Sequence, residues 1–122
     1  MTEAQRRGRD AEAFVAVELE RRGWTVLERN VRAGRLELDI VARDGPVLVV
    51  VEVRARGAGS WVPPLETVDA AKRKRLRTAA EILWTSRYSK WPELERVRFD
   101  VAAVEFTSSG GPSLTYIEAA FV

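Results

Sequence analysis

An α/β domain built on a mixed sheet is the fold class this sequence predicts, and three observations predict it. Segments 4–22 and 67–86 repeat apolar residues at helical spacing. Three segments, 36–43, 47–54 and 97–105, are β-branched or alternate at strand spacing. Asp44-Gly45 is a two-residue hairpin signal that makes the second and third strands neighbours. A meander, then a helix, then a returning strand gives a mixed sheet flanked by helices.

Each element has its own warrant. The first helix, 4–22, is closed by Gly23, with Arg21-Arg22 in its last turn. Trp24-Thr25-Val26-Leu27-Glu28 is a short strand. Residues 36–43 form the second strand, and Pro46 opens the third, 47–54. Gly57, Gly59, Ser60, Pro63 and Pro64 predict a loop over 55–65. A long helix follows over 67–86, then a fourth strand over 97–105. Ser108-Ser109-Gly110-Gly111-Pro112 turns the chain into a last short strand, 114–118. At 122 residues, with no repeat and no linker, this is one domain, 1–122, with room for a core.

Composition excludes several chemistries. There is no His, which removes a histidine general base and a His-ligated zinc. There is no Cys, which removes thiol catalysis, iron–sulfur clusters and disulfides. Any metal must therefore be held by oxygen, which points to magnesium or manganese. No apolar run is long enough to span a membrane, and no apolar signal core follows the N-terminal Met1 to Arg7, so the expected location is the cytoplasm.

Charged residues on apolar faces are the most informative feature. Val47-Leu48-Val49-Val50-Val51-Glu52-Val53 is a run suited to a strand buried on both faces, and Glu52 interrupts it. Burying an ionised carboxylate costs several kcal/mol unless a cation, a metal or hydrogen bonds compensate. In Leu36-Glu37-Leu38-Asp39-Ile40, Glu37 and Asp39 share one face, as Glu52 and Arg54 share one. Whether the two pairs meet depends on register. Glu12 lies three, four and seven positions before Val15, Ala16 and Leu19, within the apolar stripe of the first helix. Lys72 falls among Val68, Leu76, Ala79 and Leu83 on the core-facing stripe of the second. Taken singly, each is an ion pair or a snorkelling side chain; taken together they point to a shared site.

Net charge is only +2, with a pI near 9.4, but the cations cluster. Lys72-Arg73-Lys74-Arg75-Leu76-Arg77 places five cations in six positions, and Arg6, Arg7 and Arg9 form a second group. Such patches suit phosphate, although a solvated helix face reads the same way.

Asp39 followed, after a hairpin, by Glu52-Val53-Arg54 resembles the PD-(D/E)XK signature of restriction-endonuclease-like nucleases. Glu12 resembles the extra helix acid of their Holliday-junction-resolvase branch. More specifically, the chain resembles the small bacterial family typified by YraN. The matching pieces are Gly8 to Glu12, Asn30, Glu37 to Val41, Val51 to Arg56, Val68 to Lys72 and Arg98 to Val101. The resemblance implies a three-layer α/β/α restriction-endonuclease-like fold with an αβββαβ core. It also implies a Mg²⁺- or Mn²⁺-dependent phosphodiesterase site at Glu12, Asp39 and Glu52, with the Val53 carbonyl as a further ligand. The signature wants Lys where this chain has Arg54. Arginine stays protonated and cannot be a base, but it can orient a phosphate and stabilise its charge. Lys72 is then the candidate for the missing ammonium.

The expected function on this reading is a metal-dependent DNA endonuclease acting on structured or branched DNA. Arg56, Arg73, Lys74, Arg75 and Arg77 would contact flanking phosphates, which position a duplex without reading its sequence. Cutting both strands needs two sites, which a homodimer would supply. The alternative is a non-catalytic nucleic-acid-binding module that keeps the nuclease fold, a reading Arg54 favours. A third reading makes the acids ordinary ion pairs in an interaction domain, with Trp61, Trp84 and Trp91 near a partner surface. Asp100, on the same strand face as Arg98, is expected to pair with an arginine at the sheet edge and is left out of the catalytic set.

Overall fold

Thr2 starts the first helix, α1 (Glu3–Arg21), by a reciprocal cap: its hydroxyl accepts the Gln5 amide at 3.1 Å while the Gln5 side chain accepts the Thr2 amide at 2.9 Å. Gly23, at φ 89°, ends it. The Gly23 amide bonds the Glu20 carbonyl and the Trp24 amide the Leu19 carbonyl, satisfying two carbonyls the helix leaves open. The computed structural model describes residues 1–57, 68–107 and 110–122.

Five strands follow the chain order in one sheet: β1 (Thr25–Ala33), β2 (Leu36–Asp44), β3 (Val47–Gly57), β4 (Arg96–Phe106) and β5 (Pro112–Phe121). All neighbours are antiparallel except β3 and β4, which are parallel and joined through α2 (Ala70–Leu83). Asp69 caps α2 by accepting the Lys72 amide at 2.8 Å. A single five-stranded mixed sheet with two helices is thus the architecture, as the sequence predicts at that level.

Two apolar clusters lie on opposite faces of the sheet. Ala11, Val15, Ala16 and Leu19 of α1 pack with Ile40, Ala42, Val49, Val51, Ala102 and Val104. Leu76, Ala79, Ala80 and Leu83 of α2 pack with Leu38, Val41, Leu48, Val50, Phe99 and Val101. The alternation of Val49 and Val51 with Leu48 and Val50 explains the run: β3 is central and both faces are covered.

Several boundaries differ from the sequence reading, each for a physical reason. β1 is nine residues, not the short 24–28 segment. Its second half, Arg29-Asn30-Val31-Arg32-Ala33, is polar at alternate positions because β1 is an edge strand, and Gly34 at φ 66° turns it into β2. The β2–β3 turn is Gly45-Pro46, flanked by the pair Asp44 and Val47. The sequence reading placed the two turn residues at Asp44-Gly45; Gly45, at a positive φ of 57°, is the turn's first residue and Pro46 its second. β3 continues through Gly57 because β4 pairs with it throughout, so residues 55–57 are strand and not loop. The rest of that expected loop, with Trp61, lies outside the described residues. So do residue 67, the expected start of the second helix, and Ser108 and Ser109 of the expected last turn. β5 is longer than 114–118 because it pairs along β4 from Phe106 to Phe99.

The second helix changes character before residue 86. From Trp84 to Tyr88 it widens into a π-helical turn, closed by the Ser89 amide on the Trp84 carbonyl at 2.8 Å. Glu28 of β1 accepts hydrogen bonds from both Arg87 and the Tyr88 hydroxyl, tying this turn to the sheet edge. Ser86 bonds the Ile82 carbonyl at 2.8 Å.

Candidate carboxylate site

The β2–β3 ladder runs from the turn to Ile40 and Val51 and stops. One step further the register would set Asp39 against Glu52. Instead the Asp39 carboxylate accepts the Val53 amide at 2.8 Å, replacing a ladder bond with a side chain. The sheet forks at this point, and the acids collect at the fork.

Glu52 is 5% exposed and sits on the α2 face of β3. Two cations approach its Oε1: Lys72 Nζ at 3.6 Å and Arg54 at 3.6 Å. Lys72 reaches it because it lies one turn before the buried Leu76 in the helix that Asp69 caps, which leaves position 72 on the helix's inward side. Even so, the Glu52 carboxyl is pushed up from 4.5 to about 7, by burial first and by the Asp39 charge second, against the pull of Lys72 and Arg54.

Glu12 approaches Asp39 from α1. It too rises from 4.5 to about 7, through burial, the Asp39 charge and a hydrogen bond to Asp39. Asp39 is raised by burial, while the Val53 amide, the Glu12 bond, Lys72 and Arg54 all pull it down. The three acids therefore titrate as a linked set centred on Asp39. Among the described residues, no three Asp or Glu side chains converge as a ready-made metal shell. Glu12 leans on Asp39, whereas Glu52 is drawn to Lys72 and Arg54.

Asn30 completes this edge and was assigned no role by sequence reasoning. Its backbone stands at φ 52°, a left-handed conformation that Asn tolerates better than most residues. With its amide nitrogen turned to the acids, it donates to the two Glu12 oxygens at 3.0 and 3.2 Å and to Glu37 at 3.3 Å. The sequence offers Asn30 only as one of the pieces that match the family resemblance, because the strand that holds it is read as ending at residue 28. Glu37 itself is exposed. Arg29 adds a further pull on Glu12. A cleft of about 720 Å³ opens here, lined by Gln5, Gly8, Arg9, Glu12, Arg29 and Asn30 among others.

The cations expected to bind phosphate are dispersed. Arg73 donates to the Val68 carbonyl at 2.9 Å and lies over the Phe121 ring at 5.4 Å. Arg77 bonds the Val122 carbonyl at 2.9 Å. Arg56 bonds the neighbouring Ala55 carbonyl at 3.0 Å. Lys74 and Arg75 are exposed and flank a separate, mainly apolar groove with Leu36 and Ile82. Asp100 stays apart from the site. Fully buried, it takes a two-pronged contact from Arg98 at 3.0 and 3.1 Å, the Tyr116 hydroxyl at 2.6 Å and the Ala119 amide at 2.9 Å. It pairs with an arginine beside the edge strand, as its alternation with Arg98 predicts.

Fold and site together define a mixed α/β protein with three carboxylates, Glu12, Asp39 and Glu52, near a fork in its sheet. The family model described as Uncharacterised protein family UPF0102 matches residues 11–104, and the chain belongs to that family. It is 49% identical over 114 residues to a UPF0102 protein of Sorangium cellulosum, covering 93% of this chain and 79% of that one. It is 43% identical over 114 residues to one of Anaeromyxobacter dehalogenans, covering 93% and 82%. One of Pseudomonas syringae is 39% identical over 117 residues, covering 96% and 94%. No helix among the described residues is long and apolar enough to cross a membrane.

Proposed function

We propose that this protein is a metal-dependent DNA endonuclease of restriction-endonuclease-like, PD-(D/E)XK type, hydrolysing phosphodiester bonds in structured or branched DNA. The observation that carries the reading is the linked set Glu12–Asp39–Glu52, two of whose members are held near 7 by burial and by the Asp39 charge. Three carboxylates brought near one another as oxygen donors suit a hard divalent cation, which would favour their ionised forms. Asp39, with Glu12 and Glu52 drawn in from the partners they hold here, would bind Mg²⁺ or Mn²⁺, aided by the Val53 carbonyl, and waters would complete the shell. When bound, such an ion supplies a water of lowered pKa and neutralises charge developing on the phosphate.

The protein's own groups have distinct tasks in this reading. Lys72 and Arg54 hold Glu52 and offer positive charge to a scissile phosphate. Arg54 remains protonated and orients the phosphate by its planar fork. Asn30 fixes the direction of Glu12. Lys74 and Arg75 are exposed enough to meet flanking phosphates.

One observation favours a second reading, a nucleic-acid-binding module without catalysis. Glu52 already has two cationic partners at 3.6 Å, so its charge is met within the chain. Cleavage of labelled four-way-junction, flap and linear DNA with Mn²⁺ or Mg²⁺, beside Glu52→Gln protein and an EDTA control, separates the two. Metal-dependent cutting that disappears in Glu52→Gln supports the nuclease. Binding without cutting, unchanged in the variant, supports the module. Neither binding nor cutting removes both.

A further inference from the structure

The cleft along α1 contains a glycine with no role inside the protein. Gly8 lies in the interior of a 19-residue helix, where glycine is less favourable than alanine. A Cβ built on it would meet nothing within 4 Å, so no neighbour excludes a side chain there. It sits one turn before Glu12, on the stripe that faces the cleft. A bare patch of helix beside a functional edge leaves room for another molecule's backbone to approach closely.

The charges around it say what kind of molecule. Arg9 and Arg29, both exposed, line the same cleft on its two walls, one from α1 and one from β1, while the carboxylates Glu12 and Glu37 line its edge beside Asn30. The α2 cations are less available: Lys72 faces Glu52, Arg73 is held by the Val68 carbonyl and Phe121, and Arg77 by the Val122 carbonyl. Lys74 and Arg75 are exposed but border an apolar groove. We infer that the sugar–phosphate backbone of a nucleic-acid strand lies in the α1 cleft, resting on Gly8 between Arg9 and Arg29, and meets the acids at the Glu12 edge. This rests on the nucleic-acid reading above and assigns the path of the strand to α1, with the α2 face secondary.

The test is binding of fluorescent four-way-junction and linear duplex DNA in EDTA across a series of NaCl concentrations. Each phosphate contact adds about 0.9 to the slope of log affinity against log salt. The Arg9→Gln/Arg29→Gln protein is expected to lose about 2 from that slope, and Lys74→Gln/Arg75→Gln less than 1. Gly8→Leu is expected to weaken binding about tenfold or more while its Tm stays at or above that of the native protein, and Gly8→Ala separates bulk from helix stability. Native-like binding by Gly8→Leu, or a slope lost only in the Lys74/Arg75 variant, overturns the α1 path and leaves the nucleic-acid reading intact. Failure of the native protein to bind either DNA at any salt concentration overturns both.

Discussion

Asp39 accepts the Val53 amide at 2.8 Å where the ladder between their strands has ended. That bond pins a carboxylate at the fork of the sheet, and its charge then raises both Glu12 and Glu52. Asparagine at position 39 can still accept the amide but carries no charge. Asp39→Asn is therefore expected to lower the Glu12 and Glu52 titrations from about 7 toward 4.5, incompletely, because burial remains. Carboxyl ¹³C shifts followed by NMR across pH check it. Unchanged midpoints would mean that burial alone sets them.

Linkage gives stability a pH dependence of definite sign. Glu12 and Glu52 bind protons more tightly folded than unfolded, since about 7 exceeds their ordinary 4.5. Their contribution is fully present below about 4.5 and declines as pH rises toward 7. Urea denaturation between these limits should show stability from this pair falling with pH, and the Glu12→Gln/Glu52→Gln protein should show a flatter profile. A divalent ion that binds the ionised acids should offset the decline.

Lys72 contacts Glu52 from a different element and is proposed to present its ammonium to the phosphate. Lys72→Ala should cut turnover by about 10²–10³, the usual effect of losing one electrostatic contact in a transition state. It should also push the Glu52 titration further up, because a favourable charge is lost. Full cleavage by Lys72→Ala dismisses the catalytic role, while the Glu52 titration reports separately on the ion pair.

Asp100 predicts the opposite pattern, a stability defect without a direct effect on the acids. Its partners are Arg98, Tyr116 and the Ala119 amide, and Ala119 holds a φ of 51° that needs support. Removing one partner of a buried, hydrogen-bonded ion pair costs about 3–5 kcal/mol. Asp100→Ala is expected to lower unfolding free energy on that scale in urea. Burial and the Asp100 carboxylate keep the Tyr116 hydroxyl protonated, so its absorbance should titrate in alkali only once this network opens.

Much of the fold is legible locally. Glu52 within a β-branched run marks a buried acid, because strand spacing and side-chain chemistry meet at a single residue. Lys72 is found by its place among Leu76, Ala79 and Leu83, since a helix repeats its buried face every 3.6 residues. β1 is read too short because an edge strand needs little apolar character, so its polar second half carries no strand signal. The π-helical turn has no signal either: Glu28, nearly sixty residues earlier, grips Arg87 and Tyr88.

The sequence alone determined the element order, the end of the first helix at Gly23 and the identity of the acids on inward faces, all consequences of patterns over a few residues, whereas the Thr2 cap came to light only in the structure. Only the tertiary structure decided that Asp39 would stand between Glu12 and Glu52, that Asn30 would turn to Glu12, and that Arg73 and Arg77 would bind carbonyls of their own chain. Proton affinity and pairing depend on distances through space between residues far apart in the chain. Register, the fork at Asp39 and the packing of α1 and α2 on opposite faces set those distances.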